Sequence, residues 1–234
     1  MMENVTYRHE YKYLVSAGQI SALKGRAEAV LQMDSHVAAS GAYAHFYNIR
    51  SVYFDDGANT CYFENESGTD PREKYRIRIY NHSDSRITLE CKRKCRGKGY
   101  KQSCRLSREQ CEMLLAGKPL PEDASYPPVL QKLLLLIKTR GYRPVVIVEY
   151  DRVPYVHPVG NVRVTLDCNI RASTACQRFF EKEIPMRPIL PTGQHILEVK
   201  WDALLPDYIY RSLMLESLQW TSFSKFYLCR RATM

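Results

Sequence analysis

The 234-residue sequence lacks the short motifs that mark the common phosphate- and metal-handling sites. It has no G-x-x-x-x-G-K-[ST] and no G-x-G-x-x-G, which excludes a P-loop and a Rossmann phosphate cradle. It has no H-E-x-x-H and no G-x-S-x-G, which excludes a zincin helix and a serine nucleophile elbow. Eight cysteines are present, yet no C-x-x-C occurs, and no cysteine pair precedes a histidine pair at zinc-ligand spacing. Long apolar runs are missing as well. The longest, Leu133 to Ile137, falls far short of the ~20 residues that span a bilayer. The N-terminal stretch MMENVTYRHEYKY mixes charges of both signs and has no apolar core, so no signal peptide is expected. The cysteines are therefore read as reduced thiols in a cytoplasmic protein. With no repeat, low-complexity tract or linker, a single domain over 1–234 is expected.

What is abundant is positive charge. Lys and Arg number 34 against 25 Asp and Glu, a formal net charge of +9. Such an excess points to an anionic partner: nucleic acid, phosphorylated small molecules or a membrane surface. Neither a recognition helix nor an interleaved aromatic and basic platform is found, which argues against nucleic acid.

The periodicity reads as strands broken by helices without a regular βαβ beat, which predicts an α+β fold with an antiparallel sheet or barrel. Strands are expected at 5–13, 46–55, 61–66, 73–81, 86–95, 100–106, 144–153, 161–169 and 195–201, with a short segment near 182–184. Ser16 with Gln19 and Ser107 with Gln110 form capping boxes, which open helices over about 17–33 and 107–116. Further helices are expected at 129–140 and, after Pro206, at 206–217; the tail 222–230 is mixed. Gly97-Lys98-Gly99 reads as a hairpin turn.

Charge alternates inside these strands. Lys74, Arg76 and Arg78 oppose Tyr75, Ile77 and Ile79; Glu90, Lys92 and Lys94 oppose Leu89 and Cys91. Arg8, Glu10 and Lys12 oppose His9, Tyr11 and Tyr13; Arg163, Thr165 and Asp167 oppose Val162, Val164 and Leu166; Glu198 and Lys200 oppose Leu197, Val199 and Trp201. A period of two places each set on one side of its strand. An ordinary solvated face mixes signs, because like charges directly opposite each other destabilise a sheet. Here cations dominate, and they call for an anion. Apolar helices need a surface to cover. A sheet closed into a barrel, with its apolar side outward under those helices, would place the charged side in the bore. The few carboxylates there, Glu10, Glu90 and Glu198 among them, would be ligands for Mg²⁺ or Mn²⁺, which favour oxygen donors and bridge phosphates.

The ordered stretches RHEYKY (8–13), NIRSVYFD (48–55), KYRIRIY (74–80), LECKRK (89–94), YDRVPY (150–155), VRVTLD (162–167), ILEVKW (196–201) and FSKF (223–226) carry a resemblance. The sequence resembles the VTC domain, the polyphosphate polymerase domain of the vacuolar transporter chaperone complex. That domain is grouped with the triphosphate tunnel metalloenzymes, alongside CYTH phosphatases and RNA triphosphatases. The resemblance implies an eight-stranded antiparallel β-barrel tunnel with a charged interior and helices outside. It implies that Lys12, Arg50, Arg76, Arg78, Lys92, Arg152 and Arg163 hold phosphates, with Arg76, Arg78 and Lys12 also catalytic. Tyr150 would donate a hydrogen bond, Ser224 and Lys225 would close the far end, and Lys101 would be a further phosphate contact. Glu198 would hold the metal, with Glu10 and Glu90 as additional candidates. Many tunnel metalloenzymes begin with E-x-E-x-K; here, as in VTC domains, Arg8 stands first, which trades a metal ligand for a cation.

The implied activity is a Mn²⁺- or Mg²⁺-dependent phosphotransferase that makes inorganic polyphosphate from ATP or another nucleoside triphosphate. Two alternatives stay open: a tripolyphosphatase or nucleoside triphosphatase using the same tunnel, and a non-catalytic polyphosphate-binding module. Action at the inner face of a membrane through a separate partner is a further open alternative.

Overall fold

The computed structural model describes residues 9–38, 45–96, 98–118 and 120–234. In chain order, β1 (His9–Ser16) leads into α1 (Ala17–Val30), β2 (Gln32–Met33) and the short α2 (Ser35–Ala38). Then come β3 (Tyr47–Asp55), α3 (Thr60–Glu66), β4 (Arg72–Tyr80), β5 (Ser83–Cys95), β6 (Lys98–Leu106), α4 (Arg108–Leu115) and α5 (Pro128–Arg140). The chain continues through β7 (Arg143–His157), β8 (Val162–Ser173), β9 (Arg187–Pro188), β10 (Gln194–Trp201), α6 (Asp207–Ser212) and α7 (Lys225–Thr233). The strand order is β1-β10-β8-β7-β3-β4-β5-β6, with the two-residue β2 and β9 attached to β7 and β8. The eight expected strands are thus accompanied by two short ones, and no described ladder joins β1 to β6. Arg8 lies outside the described residues. No described helix is long and apolar enough to cross a membrane.

Contacts divide the chain into two compact units. The first comprises Met1–Asn48, Tyr150–Ile170 and Leu190–Phe223; the second comprises Ile49–Glu149, Arg171–Ile189 and Ser224–Met234.

In the first unit the Ser16 hydroxyl accepts the Gln19 N–H at 3.3 Å, and the Gln19 side chain accepts the Ser16 N–H at 2.8 Å, completing the expected capping box. α1 buries Ile20, Leu23 and Ala27 in a core with Tyr13, Val15, Val164, Leu166, Leu197 and Val199. These strand residues are the apolar partners of the alternation, so α1 covers one side of β1 and β10 and leaves their charged side uncovered by it. α1 ends at Val30 rather than 33, because Leu31 adopts an extended backbone that feeds β2. The last expected helix, 206–217, stops at Ser212, and Met214 in the left-handed region (φ 49°) separates it from a 3-10 turn.

In the second unit, Tyr75, Ile77 and Ile79 of β4 and Ile87, Leu89 and Cys91 of β5 are buried. α4 and α5 contact β5 and bury Cys111, Leu114, Leu130 and Leu133. The expected short strand at 61–66 is instead α3. The Asp55 carboxylate accepts the N–H groups of Cys61 (2.9 Å) and Tyr62 (3.2 Å), which supplies the hydrogen-bond partners that a helix start needs. The mixed tail is α7, started by Ser224, whose hydroxyl accepts the Tyr227 N–H at 3.3 Å. The segment near 182–184 forms no strand.

That segment serves a different purpose. Arg50, 1% exposed, pairs with Glu149 and donates to the carbonyls of Phe179 (2.9 Å) and Lys182 (3.2 Å), and also to that of Glu181. Arg171 Nε donates to the other Glu149 oxygen at 3.0 Å, and His82 Nε2 lies 3.3 Å from it. Burial alone would raise the Glu149 pKa; bonding to His82, Arg171 and Arg50 outweighs it and brings the carboxyl down to about 2. The sign follows. Stability from this depressed pKa is present above the ordinary glutamate range and is lost as pH falls toward 2. Glu149→Gln is expected to destabilise the fold by about 3–5 kcal/mol at neutral pH, as removal of one partner of a buried ion pair does. It should also flatten the acid limb of stability against pH. Urea melts of variant and wild type between neutral pH and pH 3 check this; equal acid limbs would count against it.

Candidate functional site

Each unit presents one face on which the alternation has gathered charge. In the first unit the face comes from β1, β10, β8 and β7. Register places Lys12 opposite Glu198 and Glu198 opposite Thr165; Glu10 lies opposite Lys200, and Lys200 opposite Arg163. Lys12 Nζ lies 2.7 Å from Glu10 Oε1 and 3.8 Å from Glu198 Oε1, and it donates to the Phe223 carbonyl at 3.0 Å. Lys200 Nζ lies 3.1 Å from Glu198 Oε1. Arg152 makes a two-pronged pair with Asp167, both contacts at 2.7 Å, and its Nη2 reaches Glu198 Oε2 at 3.3 Å. Burial works against the Arg152 charge, but the Asp167 carboxylate outweighs it and raises its pKa well above the ordinary value. The Arg152 guanidinium sits 5.3 Å from the centre of the buried Tyr150 ring.

Arg163 is held by the first residue of β3 and by the residue that precedes α2. Its Nη2 donates to the Tyr47 hydroxyl at 3.0 Å and lies 3.1 Å from Asp34 Oδ2. Asp34 in turn accepts the His36 backbone N–H at 3.0 Å. Burial opposes ionisation of Asp34, but the His36 hydrogen bonds and the Arg163 charge hold its carboxyl below the ordinary range.

In the second unit the face comes from β3 to β6. Register sets Tyr53, Arg76, Glu90 and Ser103 in one cross-strand row, and Ser51, Arg78, Thr88 and Arg105 in the next. Glu90, 4% exposed, is the centre. Arg76 Nε and Nη2 lie 2.7 and 2.6 Å from its Oε2, while Arg78 Nη1 at 3.6 Å and Lys101 Nζ at 3.4 Å approach its Oε1. Burial alone would raise the Glu90 pKa; the charges of Arg76, Arg78 and Lys101 hold it well below the carboxylate range. Arg76 Nη1 also donates to the Tyr53 hydroxyl at 2.8 Å, and Arg78 Nε to Ser51 Oγ at 3.3 Å. Lys92 is exposed on the neighbouring row, between Lys74 and Lys101. Ser224 and Lys225 begin α7; Ser224 Oγ accepts Lys74 Nζ at 3.4 Å, and the Lys74 ammonium lies 5.1 Å from the Phe226 ring centre.

Most expected positions therefore sit on one or other face: Lys12, Glu10, Tyr150, Arg152, Arg163 and Glu198 in the first unit, and Arg76, Arg78, Glu90, Lys92 and Lys101 in the second. Arg50 does not. It lies opposite Ile79, on the buried side of β3, whereas Ser51 and Tyr53 lie opposite Arg78 and Arg76. Its guanidinium is spent on Glu149 and the 179–182 carbonyls. Ser51 and Tyr53, two residues apart, share the face of Arg78 and Arg76, a spacing visible in the sequence. Asp34, just before α2, and Tyr47, at the start of β3, hold Arg163 across long sequence separations that no local spacing reveals.

As to metal, no group of three or more His, Cys, Asp and Glu forms a cage among the described residues. Glu198 and Glu10, linked through Lys12, fit an ion of the Mg²⁺ or Mn²⁺ type held by one or two carboxylates and completed by phosphate and water. Glu90 is enclosed by three cations and suits the role of their counter-charge.

Comparison with solved structures gives a Hippeastrum protein described as an adenylyl cyclase candidate with a dominant triphosphatase activity. It is 11% identical, covering 98% of this chain and 97% of that one at a TM-score of 0.53, which marks a shared fold. A Pyrococcus horikoshii protein (15% identity, 97% and 99% coverage, TM-score 0.48) and a Bacillus halodurans protein described as an adenylate cyclase candidate (12%, 91% and 87%, 0.49) also match. The curated proteins give no match. The VTC domain matches residues 7–234, which takes in both units. The chain belongs to the VTC domain family.

Proposed function

We propose that this VTC domain, taken as one functional domain over 1–234, is a metal-dependent phosphotransferase that extends inorganic polyphosphate from ATP. The observation that carries the reading is the second unit's face, where Arg76, Arg78 and Lys101 surround the single buried carboxylate Glu90 and Lys92 stands in the adjoining row. Arg binds phosphate oxygens through two parallel N–H donors, and Lys binds them as a point charge. Phosphoryl transfer asks mainly for alignment and neutralisation of charge, not a protein nucleophile. The terminal oxygen of the growing chain forms a bond to the γ-phosphorus, the γ–β bridging bond breaks, and ADP leaves with the bridging oxygen. Arg76 and Arg78 stabilise charge on the transferring group; on the first unit's face Lys12 is the cation given a catalytic role. Glu198 is the first candidate to hold the metal, which would supply neutralisation of phosphate charge. Tyr150 and Arg163 orient bound phosphates, while Ser224 and Lys225 hold the α7 end.

Purified protein incubated with ATP and Mn²⁺, with and without a short polyphosphate primer, is expected to yield ADP together with a lengthening chain and little free phosphate. Orthophosphate released in step with ADP would replace the reading by hydrolysis. Neither product would leave a binding module.

Two further outcomes belong to the same reading. Tripolyphosphate at about a hundredfold its Kd should stabilise the protein by about 2.7 kcal/mol, less at high salt; no shift in Tm would overturn it. Glu198→Gln should keep polyphosphate binding while metal-dependent turnover falls on the order of a hundredfold. Arg76→Ala should weaken both binding and turnover, each by roughly ten- to a hundredfold. Unchanged turnover in Glu198→Gln would remove that residue from the metal site.

A further inference from the structure

Register on β4 to β6 extends the cationic face beyond the residues assigned above. Arg72 lies opposite Lys94, one row outward from Lys74, Lys92 and Lys101. At the other end Arg105 lies opposite Thr88, which lies opposite Arg78. Like charges therefore face each other at Arg72–Lys94, Lys74–Lys92 and Lys92–Lys101, an arrangement that costs stability unless an anion lies over it. Within the four rows Glu90 is the one carboxylate among the described residues, and it is enclosed by Arg76, Arg78 and Lys101. Lys94 and Arg105 are exposed, and among the described residues neither has an ion-pair partner. Arg72 is anchored at its Nη1 by the Thr69 carbonyl at 2.6 Å.

Same-face residues two apart stand ~6.7 Å from each other, so four rows run ~20 Å along the strands. A triphosphate, three tetrahedra sharing two oxygens, reaches across only about two of these rows. We propose that the end rows, Arg72–Lys94 and Arg105, are chain-length determinants that grip the phosphoryl units of a linear polyphosphate beyond those a triphosphate occupies. The proposal rests on the reading of this face as a phosphate site, and it adds a preference for long chains with named residues behind it.

The control is built into β5. Arg93 neighbours Lys94 but points to the other side of the strand, toward Glu73. A diffuse positive field would be weakened about equally by loss of either charge; a track would not.

The experiment measures the affinities of tripolyphosphate and of a long linear polyphosphate by calorimetry, for the wild type, Arg72→Gln/Lys94→Gln, Arg105→Gln and Arg93→Gln, across a salt series. The wild type should favour the long chain. The first two variants should lower the ratio of long-chain to tripolyphosphate affinity by about three- to tenfold and reduce the salt slope for the long chain only. Arg93→Gln should leave the ratio unchanged. Removal of the Arg72–Lys94 repulsion should also keep the ligand-free Tm at or above that of the wild type, which separates a binding effect from misfolding. Equal loss for both ligands, or an Arg93→Gln effect as large as the others, would overturn the length proposal while tripolyphosphate binding kept the phosphate site standing. Binding of neither ligand by the wild type would remove both.

Discussion

Repulsion between stacked cations is the constraint on which the two charged faces turn. Antiparallel register puts Lys74 against Lys92 and Lys92 against Lys101, and each such contact costs stability unless opposite charge is supplied. The protein supplies some of it internally and sparingly. In the second unit one buried carboxylate, Glu90, answers for Arg76, Arg78 and Lys101. In the first, Asp167 grips Arg152 at both prongs, and Glu10 and Glu198 share Lys12 and Lys200. The carboxylates fix guanidinium orientation before any ligand arrives, which would lower the ordering cost of binding an anion there.

Packing follows from the same alternation. Because charge gathers on one side of β1, β4, β5, β8 and β10, the opposite side must be covered. α1 and α6 cover it in the first unit, and α4 and α5 contact β5 in the second. The helices were legible from their spacing and capping boxes, and the faces from a period of two. What the sequence hid was local. TCYFEN has the apolar content of a short strand, and the Asp55 and Asp56 carboxylates, which accept the Thr60, Cys61 and Tyr62 amides, favour a helix instead. Arg50 looked like one more cation in a basic strand. Its parity with Ile77 and Ile79, visible once register with β4 is known, sends it to the buried side. Partner choice is the least legible layer of all. Nothing periodic links Asp34 or Tyr47 to Arg163, since contacts across long sequence separations leave no local signature.

α7 shows how a late segment can finish an early face. Tyr53, which holds Arg76 Nη1, has its ring 5.0 Å from Phe226, and Lys74 reaches Ser224 Oγ at the start of the same helix. Two cations of β4 thus take their setting from residues about 150 positions further along.

That interweaving bears on biosynthesis. Each unit is assembled from three separated segments, and the second is complete only with Ser224–Met234. A chain emerging vectorially from the ribosome would have β3 to β6 outside long before Phe226 could meet Tyr53, leaving a strongly basic, self-repelling sheet exposed in the interval. Until α7 is made, the contacts of Arg76 and Arg78 with Glu90, which need only β4 and β5, are the ones at hand to offset that repulsion.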